Sequence, residues 1–273
     1  MTTPPPLIGA ALPIAALPQH LDWLLTGQRD LELWDASYGD VLDGDWRPAV
    51  REARRMLDGY TGRLSIHGPW EGLPLTCSDA RVRRLVSDRL HQGLEVAGAL
   101  GASQMVLHSP FDFFGSPHVA HTAGHGLAAE IALAHQTLAE VVPLAARIGC
   151  VLVIEVCYDL ATGPLLALVR SFPDATVRLS LDVGHAHVNE RRGGPPADQW
   201  VRDAGALLAH LHLQDTDGLY DRHWPPGRGS LNWYALFEAL GTLAHAPRLL
   251  LELVDTDQIG AGAAFLAHHG LAR

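Results

Sequence analysis

Residues 207–229 read LLAHLHLQDTDGLYDRHWPPGRG, an apolar run that gives way to imidazoles and carboxylates and then to a turn-rich segment. Leucines that end against Asp, Gly and Pro mark a strand handing over to a loop. His210, His212, Asp221 and His223 make that junction read as a metal site. Other apolar runs end the same way. Glu155 lies in VLVIEV, Asp182 and His185 in LSLDVGH, Glu252 in LLLELVD, and His67 and His108 in LSIHG and MVLHS.

Working outward, the runs number eight: LIGAAL (7–12), LELWDA (31–36), RLSIHG (63–68), SQMVLH (103–108), CVLVIEVC (150–157), VRLSLDV (177–183), LLAHLHLQ (207–214) and RLLLELV (248–254). Stretches of helical periodicity alternate with them over 18–27, 46–59, 79–100, 126–148, 162–171, 197–206, 231–244 and 257–269. Pro48, Ser78 and Asn232 stand near helix starts, and Gly101 and Gly149 where helices should stop. Strands apolar enough to be buried on both faces, each followed by a helix, fit a parallel barrel better than an open doubly wound sheet. The expected fold is α/β, a single (β/α)8 TIM barrel over 1–273 as one domain, with 1–6 as a flexible leader. No Gly-x-Gly-x-x-Gly fingerprint follows the first run. The longest irregular stretches, 109–124, 186–196 and 215–230, all follow strands and are expected to rim the active site.

All 20 basic residues are arginine, and the chain contains no lysine. Schiff-base, pyridoxal-phosphate and Walker-type nucleotide chemistry each need a lysine amine and are excluded. The formal charge of −10 disfavours nucleic acid as a partner, because affinity there comes largely from neutralised phosphates. No run approaches the roughly 20 apolar residues that span a bilayer. Cys77, Cys150 and Cys157 form no CxxC pair, and the TTPPP start lacks the basic and apolar regions of a signal peptide. A cytoplasmic protein without membrane contact is the expectation.

Acidic and imidazole groups at barrel strand ends point into the mouth, where each is costly to desolvate unless paired or bound to a cation. Glu155, Asp182, His212 and Glu252 come from the last four runs, so consecutive staves would surround one ion with three carboxylates and one imidazole. That mixed set suits Mn2+, Zn2+, Co2+ or Mg2+. Around it stand His67, His108, His185, Asp221 and His223, which either bind further metal, up to three ions in all, or grip a polyhydroxyl substrate. Asp221 and His223, two residues apart in an extended segment, project to one side. Trp70, Phe111, Phe113 and Phe114 offer either an apolar wall for a sugar ring or core packing at the loop bases, Arg222 offers a guanidinium to a substrate, and Arg228 does so unless Gly227-Arg228-Gly229 is a simple turn. His118, His121 and His125 read as a solvated loop, and Cys157 as a buried thiol.

On these residues the chain resembles the xylose isomerase-like TIM-barrel superfamily, in which sugar and sugar-phosphate isomerases and epimerases stand beside endonuclease IV. The likeness runs from LELWDA through LLLELVD and is most specific in HLHLQDTDG and DRHWPPGRGSLNW. In the keto-sugar epimerases two glutamates, an aspartate and a histidine hold the metal. The resemblance puts Glu155, Asp182, His212 and Glu252 in those places, and His185 against the substrate. In endonuclease IV nine ligands hold three zinc ions, and those four residues with His67, His108, His185, Asp221 and His223 supply a counterpart for each. The epimerases' arginine shortly after the strand-seven histidine is absent. Gly218 occupies its place, with Arg222 as the substitute.

The resulting expectation is an isomerase or epimerase of a keto-sugar, sugar phosphate or cyclitol, dependent on one divalent ion and acting through a metal-stabilised enediolate. Glu155 and Glu252 would serve as base and acid, and His185 would orient a substrate oxygen. The alternatives are an endonuclease IV-like multinuclear zinc phosphoesterase, a related lyase, and a sugar- or metal-binding barrel without turnover. A small carbohydrate-like substrate is the expected partner. Outer helices of such barrels often pair, which leaves a homo-oligomer open.

Overall fold

In Arg178-Leu-Ser-Leu-Asp182, His210-Leu-His-Leu213 and Arg248-Leu-Leu-Leu-Glu252 the odd positions are all leucine, and a strand's two-residue period sends them to one face. In the computed structural model, which describes residues 4–111, 126–173 and 175–273, those leucines pack outward into the core shared with the helices. The strands are β1 (Gly9–Leu12), β2 (Leu31–Leu33), β3 (Leu64–His67), β4 (Gln104–His108), β5 (Val151–Val156), β6 (Val177–Asp182), β7 (Leu208–Leu213) and β8 (Arg248–Glu252). All pair in parallel in chain order, and β8 closes on β1, so the barrel is complete.

The opposite face of the strands departs from expectation. Instead of being apolar on both faces, the barrel lumen holds buried Glu32, Ser65, Gln104, Ser180 and His210 beneath the mouth. A bulge between β6 and β7 matters to this layer: Leu179 pairs with Leu208 but Ser180 with His210, which leaves Ala209 extra on β7 and sets Asp182 directly opposite His212.

Among the described residues the helices are α1 (Leu17–Gly27), α2 (Gly39–Asp43), α3 (Arg47–Met56), α4 (Ala80–Leu100), α5 (Leu127–Leu138), α6 (Val141–Ile148), α7 (Thr162–Arg170), α8 (Val183–Glu190), α9 (Ala197–Ala204), α10 (Trp233–Leu240) and α11 (Ile259–His268). The expected helix over 126–148 is two, α5 and α6. Pro143 explains the break, because it has no N–H to donate and its ring crowds the carbonyl four residues back, at Ala139. The stretch 186–196, expected to be irregular, begins inside α8. That helix starts directly at the end of β6, since Asp182 caps it by accepting from the His185 N–H at 2.7 Å. Asp79 rather than Ser78 caps α4, Asn232 caps α10, and Gly101 and Gly149 end α4 and α6 with φ of 76° and 71°.

Residues 1–3 of the expected leader, Phe113, Phe114, His118, His121, His125 and most of 109–124 lie outside the described residues. The carbonyls of Pro5 and Pro6 accept hydrogen bonds from Arg273. No helix among the described residues is long and apolar enough to cross a membrane.

The segment after β7 is held by one buried carboxylate. Asp215 accepts from the backbone N–H of Thr216, Gly227 and Leu231 at 2.9, 2.8 and 3.2 Å, and from the Trp233 indole at 3.1 Å. Asp215→Ala strands these donors away from water and is expected to cost roughly 3 kcal/mol or more. Asp215→Asn, which keeps one acceptor oxygen, loses less. Urea denaturation of the two variants measures both, and equal, near-native midpoints would contradict this account of the loop.

Candidate metal centre

The ends of β5 to β8 deliver Glu155, Asp182, His212 and Glu252 to one point, where each offers a ligand atom within 4.8 Å of all the others. His212 sits at the middle. Its Nδ1 lies 2.7 Å from Glu155 Oε1 and 3.3 Å from Glu252 Oε2, while its Nε2 faces Glu32 Oε1 at 3.0 Å.

Two further groups flank this one and share its carboxylates. On one side His67 and His108 turn Nε2 toward Glu155 Oε2, at 3.6 and 3.4 Å. On the other, Asp182, His185 and His223 converge, and Asp221 Oδ2 lies 3.2 Å from His185 Nε2 and 3.0 Å from His223 Nε2. Gln214 bridges the two aspartates, donating to Asp182 Oδ1 at 3.2 Å and Asp221 Oδ1 at 2.6 Å. Its side chain fills the space where a Cβ on Gly184 would stand, which accounts for glycine in Asp-Val-Gly-His.

Three of the rings are oriented alike. The Nδ1 atoms of His67, His185 and His223 lie 2.9, 3.0 and 3.1 Å from the carbonyl oxygens of Gly68, Val156 and Glu252. A carbonyl only accepts, so each Nδ1 carries the proton, and Nε2 is turned to the cleft. His223 holds this pose with φ of 47°, a left-handed backbone that costs about 1–2 kcal/mol in a residue with a Cβ. Its N–H is secured by Gln214 Oε1 at 3.0 Å.

The donor set fits a divalent cation. Glu155 Oε2 and Asp182 Oδ2 are buried with no hydrogen-bond donor, a costly arrangement that a cation would relieve. Burial pushes the Asp182 carboxyl up to about 6. Burial also opposes ionisation of Glu155, yet His212, His67 and His108 hold it well below the usual carboxylate range. Against the same burial, Glu252, Glu155 and Glu32 hold the His212 imidazole well above its ordinary value, and Asp182 and Asp221 do so for His185. His223, paired with Asp221 despite burial, is raised to about 9, whereas burial pushes His108 down to about 3. Without metal, protonated imidazoles therefore stand where positive charge is needed.

Above the centre opens a cleft of about 940 Å³, lined by Glu155, Glu252, His67, His108, His185, Asp221 and His223 and walled by Trp34, Trp70 and Tyr158. Trp70 stacks on His108 with centroids 4.7 Å apart. Arg222 and Arg228 do not line it. The Arg222 guanidinium pairs with Asp217 at 2.9 Å and lies over Tyr220 and Trp224, and Arg228 lies over Trp224. The guanidinium at the cleft belongs to Arg192, which no motif marked. Phe111 is buried in the core rather than forming a wall, and Cys157 is a buried thiol that desolvation pushes up to about 12. Sequence reasoning also passed over Glu32 and Gln214. Both continue the polar-apolar alternation that singled out His212, Glu32 between Leu31 and Leu33, and Gln214 after Leu213.

Comparison with known proteins agrees with this architecture. A D-tagatose 3-epimerase-like protein shares the fold with a TM-score of 0.76 at 18% identity, covering 96% of both chains. The TTHB071 protein of Thermus thermophilus, studied with ZnCl2 soaking, gives 0.74 at 28% identity, again over 96% of both. The 3-keto-D-glucoside 4-epimerase YcjR of E. coli gives 0.70 at 17% identity, over 96% of this chain and 99% of its own. Two uncharacterized proteins of Methanocaldococcus jannaschii, MJ1311 and MJ1614, are each 22% identical, over 72% and 65% of this chain. The chain spans 66% of the length of both. Residues 27–269 match the pattern described as xylose isomerase-like TIM barrel, and the chain belongs to that family.

Proposed function

We propose that this chain is a divalent-metal-dependent isomerase or epimerase of a keto-sugar, sugar phosphate or cyclitol. The observation that carries the reading is the meeting of Glu155, Asp182, His212 and Glu252 at the cleft floor, with the carboxylates of Glu155 and Glu252 both against His212 Nδ1 and both open to the cleft. Those four residues would hold the ion. When bound, it supplies Lewis-acid polarisation of a substrate carbonyl and its neighbouring hydroxyl, which acidifies the C–H between them.

The rest falls to the side chains. One of Glu155 and Glu252 takes the proton from the carbon, and the other, protonated at the start, delivers its own to the opposite face or the adjacent carbon. After turnover the two have exchanged protonation states. His185, fixed through Val156, donates from Nε2 to a substrate oxygen when protonated. Trp34, Trp70 and Tyr158 narrow the approach and shed water from a sugar ring. The three unbridged cysteines suit a reducing, cytoplasmic setting. The epimerases among the fold neighbours support the reaction class.

A second reading is favoured by the two flanking groups, which share Glu155 and Asp182 with the central one and lie in the same cleft. Nine residues would then hold up to three zinc ions, and the chemistry would be hydrolysis of a phosphoester. The ZnCl2 used with the TTHB071 protein makes zinc the first ion to try.

Three measurements test these readings. Replacing Glu155 or Glu252 by Gln is expected to lower solvent-deuterium incorporation into substrate by at least about a hundredfold, as loss of a general acid or base does; full exchange in both variants would refute the assignment. Elemental analysis of purified protein should give about one transition-metal ion per chain for the isomerase, and about three zinc ions for the hydrolase. Third, His185 and His212 are raised well above the ordinary imidazole value and His223 to about 9, so ion binding at neutral pH should release protons and tighten as pH rises. Calorimetry in buffers of different ionisation enthalpy reads the release, and buffer-independent heats would contradict it. The sign for metal-free stability is opposite: the His223 contribution is complete below about 6.5 and is lost as pH rises through about 9.

A further inference from the structure

We propose that Glu32 is the positioning residue of the centre, a buried carboxylate that fixes which nitrogen of His212 faces the ion. The inference rests on the reading of His212 as a ligand.

Glu32 is fully buried on β2, and its carboxylate pairs with two imidazoles. Oε1 takes His212 Nε2 at 3.0 Å, and Oε2 takes His210 Nε2 at 3.0 Å. His210 is anchored in turn, its Nδ1 lying 2.8 Å from Ser180 Oγ, and its ring stands at 86° to that of His212. The chain Ser180–His210–Glu32–His212 thus crosses the lumen from β6 through β7 to β2 and back to β7. Ala11 pairs with both Glu32 and Glu252, so β1 alone separates the strands that carry the two glutamates, and the His212 ring lies between their carboxylates.

An ionised carboxylate sealed in a barrel lumen costs several kcal/mol unless its oxygens are occupied. Here both oxygens are occupied by imidazole nitrogens, which a leucine would leave buried without a partner. The glutamate also supplies direction. A carboxylate oxygen only accepts, so His212 Nε2 must carry a proton, and the lone pair of the neutral ring lies on Nδ1, toward Glu155 and Glu252. The negative charge behind the ring also raises its basicity as a donor. Neither Glu32 nor His210 lines the cleft, so both act through His212 rather than on a substrate.

The test begins with Zn2+ affinity, by chelator competition, of the full chain and of Glu32→Gln. Gln keeps the shape but turns an amide N–H2 toward one of the two rings, so one imidazole must change tautomer. Affinity is expected to fall about 10–100-fold, and Glu32→Asp, which restores the charge at a shorter reach, to recover part of it. Unchanged affinity in folded Glu32→Gln overturns the inference and leaves the centre standing, whereas a parent protein that binds no divalent ion overturns the centre itself. A measurement on the unaltered protein is independent of whether the variants fold. In 15N-histidine NMR of the zinc-loaded chain, His212 should show a protonated, hydrogen-bonded Nε2 and a metal-bound Nδ1. Zinc on Nε2, or a proton on Nδ1, overturns the proposal.

Discussion

Glu155, Asp182 and Glu252 crowd around a single imidazole, and the mutual repulsion of their charges is the constraint that the surrounding structure answers. At about 4 Å and an effective dielectric near 20, each like-charged pair costs about 4 kcal/mol. Arg222 and Arg248 do not relieve it: Arg222 is taken up by Asp217, and Arg248 donates to Ser103 at 2.7 Å. The compensation comes from rings instead. His212 lies between Glu155, Glu252 and Glu32, His67 attends Glu155, and His185 and His223 attend Asp182 and Asp221. Histidine suits the task because it can stand as a cation without metal and as a neutral ligand with it.

The barrel holds these groups close by rigid means. Six of them, His67, His108, Glu155, Asp182, His212 and Glu252, sit at strand ends, the β6–β7 bulge brings Asp182 opposite His212, and the Asp182 cap turns the chain so that His185 returns to the cleft one helical turn later. Even the groups on the loop after β7 are indirectly strand-borne. Asp215 ties that loop at both ends, and Gln214 clamps Asp221 and the N–H of His223 from the end of β7. Sites built on strands keep their geometry better than sites on free loops, which is why so many repelling groups can be kept within hydrogen-bond reach.

The architecture was legible because its signals are local and repeated. Eight apolar runs, each followed by a helical period, and acidic or imidazole residues at most of their ends are visible without any tertiary knowledge. What escaped depends on relations that sequence distance hides. Glu32 looks like a rim residue of LELWDA until β2 is placed across the lumen from β7, 178 residues from His210 in the chain. Arg222 looks available because its neighbours Tyr220 and Trp224 do not reveal that they will lie under its guanidinium. The division of 126–148 was readable in principle from Pro143, but long amphipathic periodicity outweighed one residue.

Charge balance connects the proposed chemistry to the number of ions. With one divalent ion among Glu155, Asp182, His212 and Glu252, and one of the two glutamates protonated as the acid, the two remaining carboxylates balance the ion, and a proton on His185 or His223 answers Asp221. A protonated His185 then has an Nε2–H to give to a hydroxyl or carbonyl oxygen, which is what a neutral polyol substrate requires. With three ions, Asp221 becomes necessary as a fourth carboxylate, His67, His108, His185 and His223 must all present lone pairs, and the net positive floor favours a phosphate. On the proposed chemistry, protonation of the His185–Asp221–His223 group would be the variable that links metal number to substrate charge. Its exposure at the cleft, against the closed burial of Glu32 and His212, puts that variable where a substrate can act on it.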